Sequence, residues 1–155
     1  MAAAEHRPRR GVLQIRQAEV EDGRAIRALV TMALLSGGFD PPSVELDPDL
    51  DDLTYYTESG RGAWVAIDDA EQVVGFAAVD RGQPDGDAEV ASLRRLVGQG
   101  LSNLARTAGA FARGRGAARV EAIAAPDTER ARQALESAGF VSSGDDDSLL
   151  YRREL

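Results

Sequence analysis

Apolar and polar residues alternate over Val12-Leu-Gln-Ile-Arg-Gln17, the period of a half-buried strand. The acidic Glu19-Val-Glu-Asp22 then suits the positive end of a helix dipole. Ile26, Leu29, Val30, Ala33 and Leu34 fall on one helical face until Gly37-Gly38 stops it. Asp40-Pro-Pro42 breaks the chain. An acidic stretch (Glu45, Asp47, Asp49, Asp51, Asp52) leads into a short helix over Leu50–Tyr56, and Ser59–Gly62 is a turn. Two apolar runs, Ala63–Ile67 and Gln72–Val79, flank the tight Asp68–Glu71 connection and predict a hairpin. Gly82–Asp87 is a loop by composition.

Residues Ala88–Arg113 carry two readings. Leu101, Leu104, Ala108 and Phe111 fit a helix ending at Gly114–Gly116, and Val90, Leu93 and Val97 extend that spacing backwards, as one helix from Ala88 would. Gly98 and Gly100 each disfavour a helix interior by about 1 kcal/mol relative to Ala. They favour a strand over Glu89–Val97, a glycine turn, then the helix. Arg119–Ala125 is a strand, and Pro126 opens a helix capped by Asp127 or Thr128 and running to Ala138, with Gly139 as its stop. Phe140–Ser142 and Leu149–Arg153 are terminal strands around a turn at Gly144–Asp147. The order predicts one α/β (α+β) domain over residues 12–155. Residues 1–11 are expected to be a disordered tail whose arginines Arg7, Arg9 and Arg10 aid solubility.

Composition narrows the chemistry. The 155 residues are 43% apolar, enough for one core, with 26 acids against 18 bases and a net charge of −8. Every base is arginine, no cysteine is present, and the single histidine is His6. A lysine Schiff base, a thiol nucleophile, a Ser-His-Asp triad and a histidine or thiolate metal site are excluded, so no metal is expected. The acidic balance argues against nucleic-acid partners. No apolar run is long enough to span a membrane, and Met1–Arg10 lacks a signal-peptide core, so the expected location is the cytoplasm.

The element order, with the phrases "IRQAEVEDGRAIRALV", "GAWVAIDDAEQVVGFAAV", "ASLRRL" and "AFARGRGAARVEAIAAPDTERARQALESAGF", resembles the GNAT acyltransferase superfamily over roughly Val12 to Arg153. The resemblance implies a central mixed, mostly antiparallel sheet flanked by helices. It also implies an acetyl-CoA co-substrate wedged between splayed fourth and fifth strands. The family's diphosphate turn, [R/Q]-x-x-G-x-[G/A], matches Arg95-Leu-Val-Gly98-Gln-Gly100; a second register starts at Val97 and ends on Ser102. By resemblance, the cofactor-binding set is Leu96, Val97, Gly98, Gln99, Gly100, Leu101, Ser102 and Thr128. Replacing Gly98 or Gly100 should then disturb cofactor binding more than folding.

Three departures stand beside the match. The longer connection that relatives place between "LRRL" and the glycines is missing. The position of the tyrosine that protonates the leaving thiolate is Leu135, and the usual strand glutamate is Ser92. Tyr55 and Tyr56 border the acceptor pocket by resemblance, which makes Tyr56 the candidate acid, or else a packed residue with a wetted hydroxyl. Glu89 is the nearest candidate base, or else a solvated acid. The acidic stretch at 45–52 either holds a cationic amine or is a solvated loop. The implied function is transfer of an acetyl group to a primary amine of a small molecule or peptide. The rival is a degenerate member of the fold that binds a ligand or partner, with homodimerisation through the terminal strands as one form.

Overall fold

A seven-stranded sheet separates two apolar layers, and the chain's alternating strands supply one face to each. The computed structural model describes residues 12–43, 47–123, 128–142 and 150–155. The expected tail, Glu45, Asp127 and the Gly144–Asp147 turn lie outside the described residues. In order come β1 (Gln14–Gln17), a 3-10 turn (Val20–Asp22), α1 (Gly23–Ser36), α2 (Pro48–Asp51) and a second 3-10 turn (Leu53–Thr57). Then follow β2 (Gly62–Ile67), β3 (Val73–Arg81), β4 (Val90–Gly98), α3 (Leu101–Gly114), β5 (Arg119–Ile123), α4 (Thr128–Ser137), β6 (Val141–Ser142) and β7 (Leu150–Glu154). The strands lie in the order β1-β2-β3-β4-β5-β7-β6, antiparallel except for β4 beside β5. That parallel pair needs a crossover, which α3 provides.

Residues 90–98 are a strand, so the glycine argument prevails over the helical spacing of Val90, Leu93 and Val97. One core holds Leu93, Leu96, Leu104, Val120, Leu135, Phe140 and Tyr151 against α3 and α4. Alanines 105, 108 and 112 form the buried stripe of α3 and bring its axis close to the sheet. The other core holds Ile26 and Val30 of α1 with Leu50, Leu53, Tyr56, Val65, Phe76 and Val97. Phe76 is fully buried, whereas Trp64 is half-buried and packs edge-on against Phe111 with ring centroids 5.0 Å apart. The acids before α1 have a more specific job than complementing a dipole. Arg16 grips both oxygens of buried Asp22 at 2.8 and 2.9 Å, and Asp22 accepts from the Glu19 amide at 2.8 Å.

Two irregularities in β4 matter most. Ala78 pairs with Arg95 but Val79 pairs with Leu93, so Arg94 is an extra residue in the ladder, a β-bulge. Leu93 and Leu96 both face α3, so Arg94 and Arg95 share the opposite face instead of alternating. Second, among the described residues the pairing of β4 with β5 ends at Leu93–Ala122, while the pairing of β4 with β3 continues to Gly98. Among the described residues, the end of β4 from Arg94 to Gly98 has no ladder partner on its β5 side.

Candidate functional site

The open stretch of β4 ends in a turn set by glycines. Gly98 has φ +88°, and a Cβ there would stand 2.2 Å from the Val74 carbonyl oxygen. Gln99 donates its amide to that same oxygen at 2.8 Å. Gly100, at φ +73°, is the N-cap of α3 and has no side chain with which to cap it. The amides of Leu101, Ser102 and Asn103 therefore begin the helix without intrahelical acceptors, at its positive end. Gly100, Leu101, Ser102 and Asn103 line a groove of about 510 Å³ against Arg130 and Gln133 of α4. Arg130 donates to the Gly98 carbonyl at 2.9 Å and so links the end of β4 to α4.

The predicted cofactor residues thus separate into kinds. Gly98, Gly100, Leu101 and Ser102 come together at the head of α3. Leu96 and Val97 bury their side chains in opposite cores, so only their main chain faces the gap. The Gln99 amide is already committed to Val74. Thr128 opens α4, and its side chain lies outside the described residues. The expectation that Gly98 serves the cofactor more than the fold needs correction: its positive φ and the Val74 carbonyl already require glycine.

On the other side of β4, Arg94 and Arg95 meet carboxylates from three directions. Asp49 is fully buried; it accepts from the Tyr56 hydroxyl and from Arg95 Nε at 3.2 Å and Nη2 at 2.9 Å, with Arg94 Nη2 at 3.5 Å. Arg95 Nη2 also reaches Asp47 at 2.6 Å. Asp80, on β3, accepts from the Tyr55 hydroxyl, from Arg61 Nε at 2.8 Å and from Arg94 Nη1 at 3.3 Å. Arg61 lies over the Tyr55 ring, 3.9 Å from its centroid. Two Tyr-Asp-Arg units are joined by Arg94, which the bulge turns toward both. A small cavity of about 120 Å³ borders this cluster, walled by Val30, Leu34 and Phe39.

The titrations follow from these contacts. Burial alone pushes the Asp49 carboxyl up, but hydrogen bonds from Arg95 and Tyr56 and the charges of both arginines bring it below the ordinary range. Asp80 behaves alike: burial opposes ionisation, while Tyr55 and Arg61 outweigh it. Burial, then the hydrogen bond to Asp49, drives the Tyr56 hydroxyl well above its usual value. Tyr55 is raised mainly by its hydrogen bond to Asp80. Both phenols stay protonated at neutral pH, and neither can act as a base.

The structure does not bring the two predicted catalytic residues together. Glu89 is exposed and precedes β4, at the end away from Gly98, where it borders a different cavity beside Arg81 and Arg115. Tyr56 is buried, with its proton committed to Asp49. Leu135 is fully buried in the α3–α4 core, so a tyrosine there would meet packed side chains rather than a thiolate. Asp47 and Asp49 do not await an amine, because Arg95 and Arg94 together are paired with them. Sequence reasoning missed Asp80 and Arg94. The usable signal was two adjacent arginines inside an otherwise apolar strand.

Solved structures with this arrangement are known. An acetyltransferase of the GNAT family from Staphylococcus aureus superposes with a TM-score of 0.72 at 16% identity, covering 93% of this chain and 99% of that one. The chain has the fold of the GNAT acetyltransferases. A GCN5-related N-acetyltransferase from Kribbella flavida (TM-score 0.70, 21% identity, 92% and 98% covered) has the same GNAT fold. So has an N-acetyltransferase from Thermoplasma acidophilum in complex with coenzyme A (0.68, 12%, 93% and 99%). No family model matches the chain, and no curated protein is significantly similar to it in sequence. The expected mixed, mostly antiparallel sheet flanked by helices is present.

Proposed function

We propose that this protein is an acetyl-CoA-dependent N-acetyltransferase acting on a primary amine of a small molecule or peptide. The observation that carries the reading is the stretch of β4 after Leu93, without a β5-side partner among the described residues, leading directly to the uncapped first turn of α3. Main-chain groups left without partners need a ligand or water. A pantetheine arm has amides to pair with an open strand, and a diphosphate suits helix-start amides. When bound, acetyl-CoA supplies the activated acetyl thioester. The main chain of Leu96–Gly98 would align the arm, Gly100, Leu101 and Ser102 would hold the diphosphate, and Thr128 would flank it from α4. Tyr56, through Asp49, positions Arg95 and the floor of the acceptor side. Amine deprotonation is left to water, with Glu89 too far along β4 to serve.

Calorimetry with CoA and acetyl-CoA tests the reading. Binding with a rise in melting temperature is expected, since ligand at about 100 times its dissociation constant adds about 2.7 kcal/mol. No binding at millimolar ligand would refute it. One observation favours a second reading, a ligand- or partner-binding member of the fold that transfers nothing: the carboxylates on the acceptor side are closed into ion pairs. CoA binding without thiol release across a panel of amines, together with a stable homodimer in sedimentation, would select that reading.

A further inference from the structure

At the end of β4 away from Gly98, a cavity of about 460 Å³ opens between the sheet and the end of α3. Its floor is apolar: Val79 of β3, Ala91 of β4, and Phe111 and Ala112 of α3. Two glycines make room for its walls. A Cβ on Gly62 would stand 3.2 Å from the Phe111 ring, and one on Gly60 would stand 2.8 Å from Arg81 Nε, because Arg81 lies across Gly60. Three charged side chains border the cavity: Arg81, Glu89 and Arg115. Arg81 Nη2 donates to the Ser59 carbonyl at 3.0 Å, and Arg115 lies over the Phe111 ring, 5.2 Å from its centroid. Among the described residues, neither guanidinium has a carboxylate partner, and the Glu89 carboxylate accepts from no donor. Asp80 also lines the cavity, but its carboxylate is held by Tyr55, Arg61 and Arg94.

Opposite charges around one cavity are left unmet, because the sheet holds them apart. Arg81 pairs with Ala91, and Glu89 lies two residues before Ala91, a diagonal neighbour of Arg81 about 7–8 Å away. Glu89 repels a purely anionic ligand, and the two arginines repel a purely cationic one. A ligand with both charges on one carbon and an apolar remainder satisfies all three groups and the floor. We propose that this cavity binds an α-amino acid with a small apolar side chain. Its carboxylate meets Arg81 and Arg115, its ammonium meets Glu89, and its side chain rests on Phe111 and Ala112. The 9 residues of β4 span about 26 Å at 3.3 Å per residue, so this site is separate from the head of α3 and does not rest on the coenzyme reading.

The test is calorimetry of the full chain with L-leucine, L-valine and two leucine analogues that each lack one charge, isocaproate and isoamylamine. Both amino acids should bind. Each analogue should bind at least about tenfold more weakly than L-leucine, the effect of one charge-assisted hydrogen bond. Arg115→Gln and Glu89→Gln should each weaken L-leucine binding by about the same factor. Melting temperature without ligand should stay unchanged in both variants, because both side chains are exposed. Absence of binding by the two amino acids would overturn the proposal, and so would an analogue binding as tightly as L-leucine. Affinity preserved in both variants would place the amino acid elsewhere, the acceptor side included, and would overturn it too. None of these results bears on CoA binding, so this site and the coenzyme reading fail separately.

Discussion

The two sides of the last five residues of β4 handle polar groups in opposite ways. Toward α2 and the Tyr55–Tyr56 turn, Asp47, Asp49, Asp80, Arg61, Arg94 and Arg95 meet one another, and their charges are satisfied inside the protein. Toward β5 and the head of α3, the polar groups are main-chain amides without strand or helix partners among the described residues. A closed ion network is a wall: it costs desolvation, and removing one member strands another. An open row of amides is an invitation, because its donors gain most when a ligand arrives. The side with most charge is therefore the structural side, and on the proposed reading the side with least charge is the binding side.

The contrast can be broken most forcefully at Arg95. Arg95→Met leaves Asp49 buried with its main partner gone and should lower unfolding stability by about 3–5 kcal/mol in urea titrations, while CoA affinity of the folded protein stays unchanged. A loss of affinity without loss of stability would reverse the roles of the two sides. Gly98→Ala should cost about 1–3 kcal/mol, because alanine must hold φ near +88° against the Val74 carbonyl. Unaltered stability would show that the turn can relax and that glycine serves the ligand instead. Tyr56→Phe removes one hydrogen bond but leaves Asp49 held by Arg95, so a smaller loss of about 1 kcal/mol is expected.

Acid sharpens the comparison most gently. Asp49 and Asp80 ionise more readily folded than unfolded, so their contribution is complete above about pH 4, the unfolded value, and is lost as pH falls through their lowered folded values. The urea midpoint should drop on that acid limb. The drop should be shallower in Arg95→Met, whose Asp49 no longer gains from ionising. An acid limb of equal steepness in both proteins would place the titrating groups elsewhere, with Asp22 and its Arg16 partner as the next to change.

Much of the fold was legible because its signals are local. Alternation marked β1, the Asp68–Glu71 connection marked the hairpin, and Gly98 with Gly100 divided β4 from α3. The bulge was not legible, because Arg94 is an extra residue only relative to the β3 register. Nor was the fate of the acidic stretch: Asp49 resembles its neighbour Asp51 in sequence, yet one is fully buried and the other exposed. Tyr56 rests on resemblance and Glu89 on being the acid nearest Ser92 in sequence, and neither ground fixes where a side chain lies in the folded sheet. Arg81 and Arg115 share a cavity with Glu89 only because the end of α3 packs over the start of β4.

The amino-acid order by itself determined the sequence of most strands and helices and which chemistries are impossible, since these depend on neighbours a few residues away and on residues that are absent. Tertiary packing decided which carboxylates are neutralised, where β4 parts from β5, and which amides face a ligand. Those outcomes depend on what lies across a strand or helix, and burial gives them their energy.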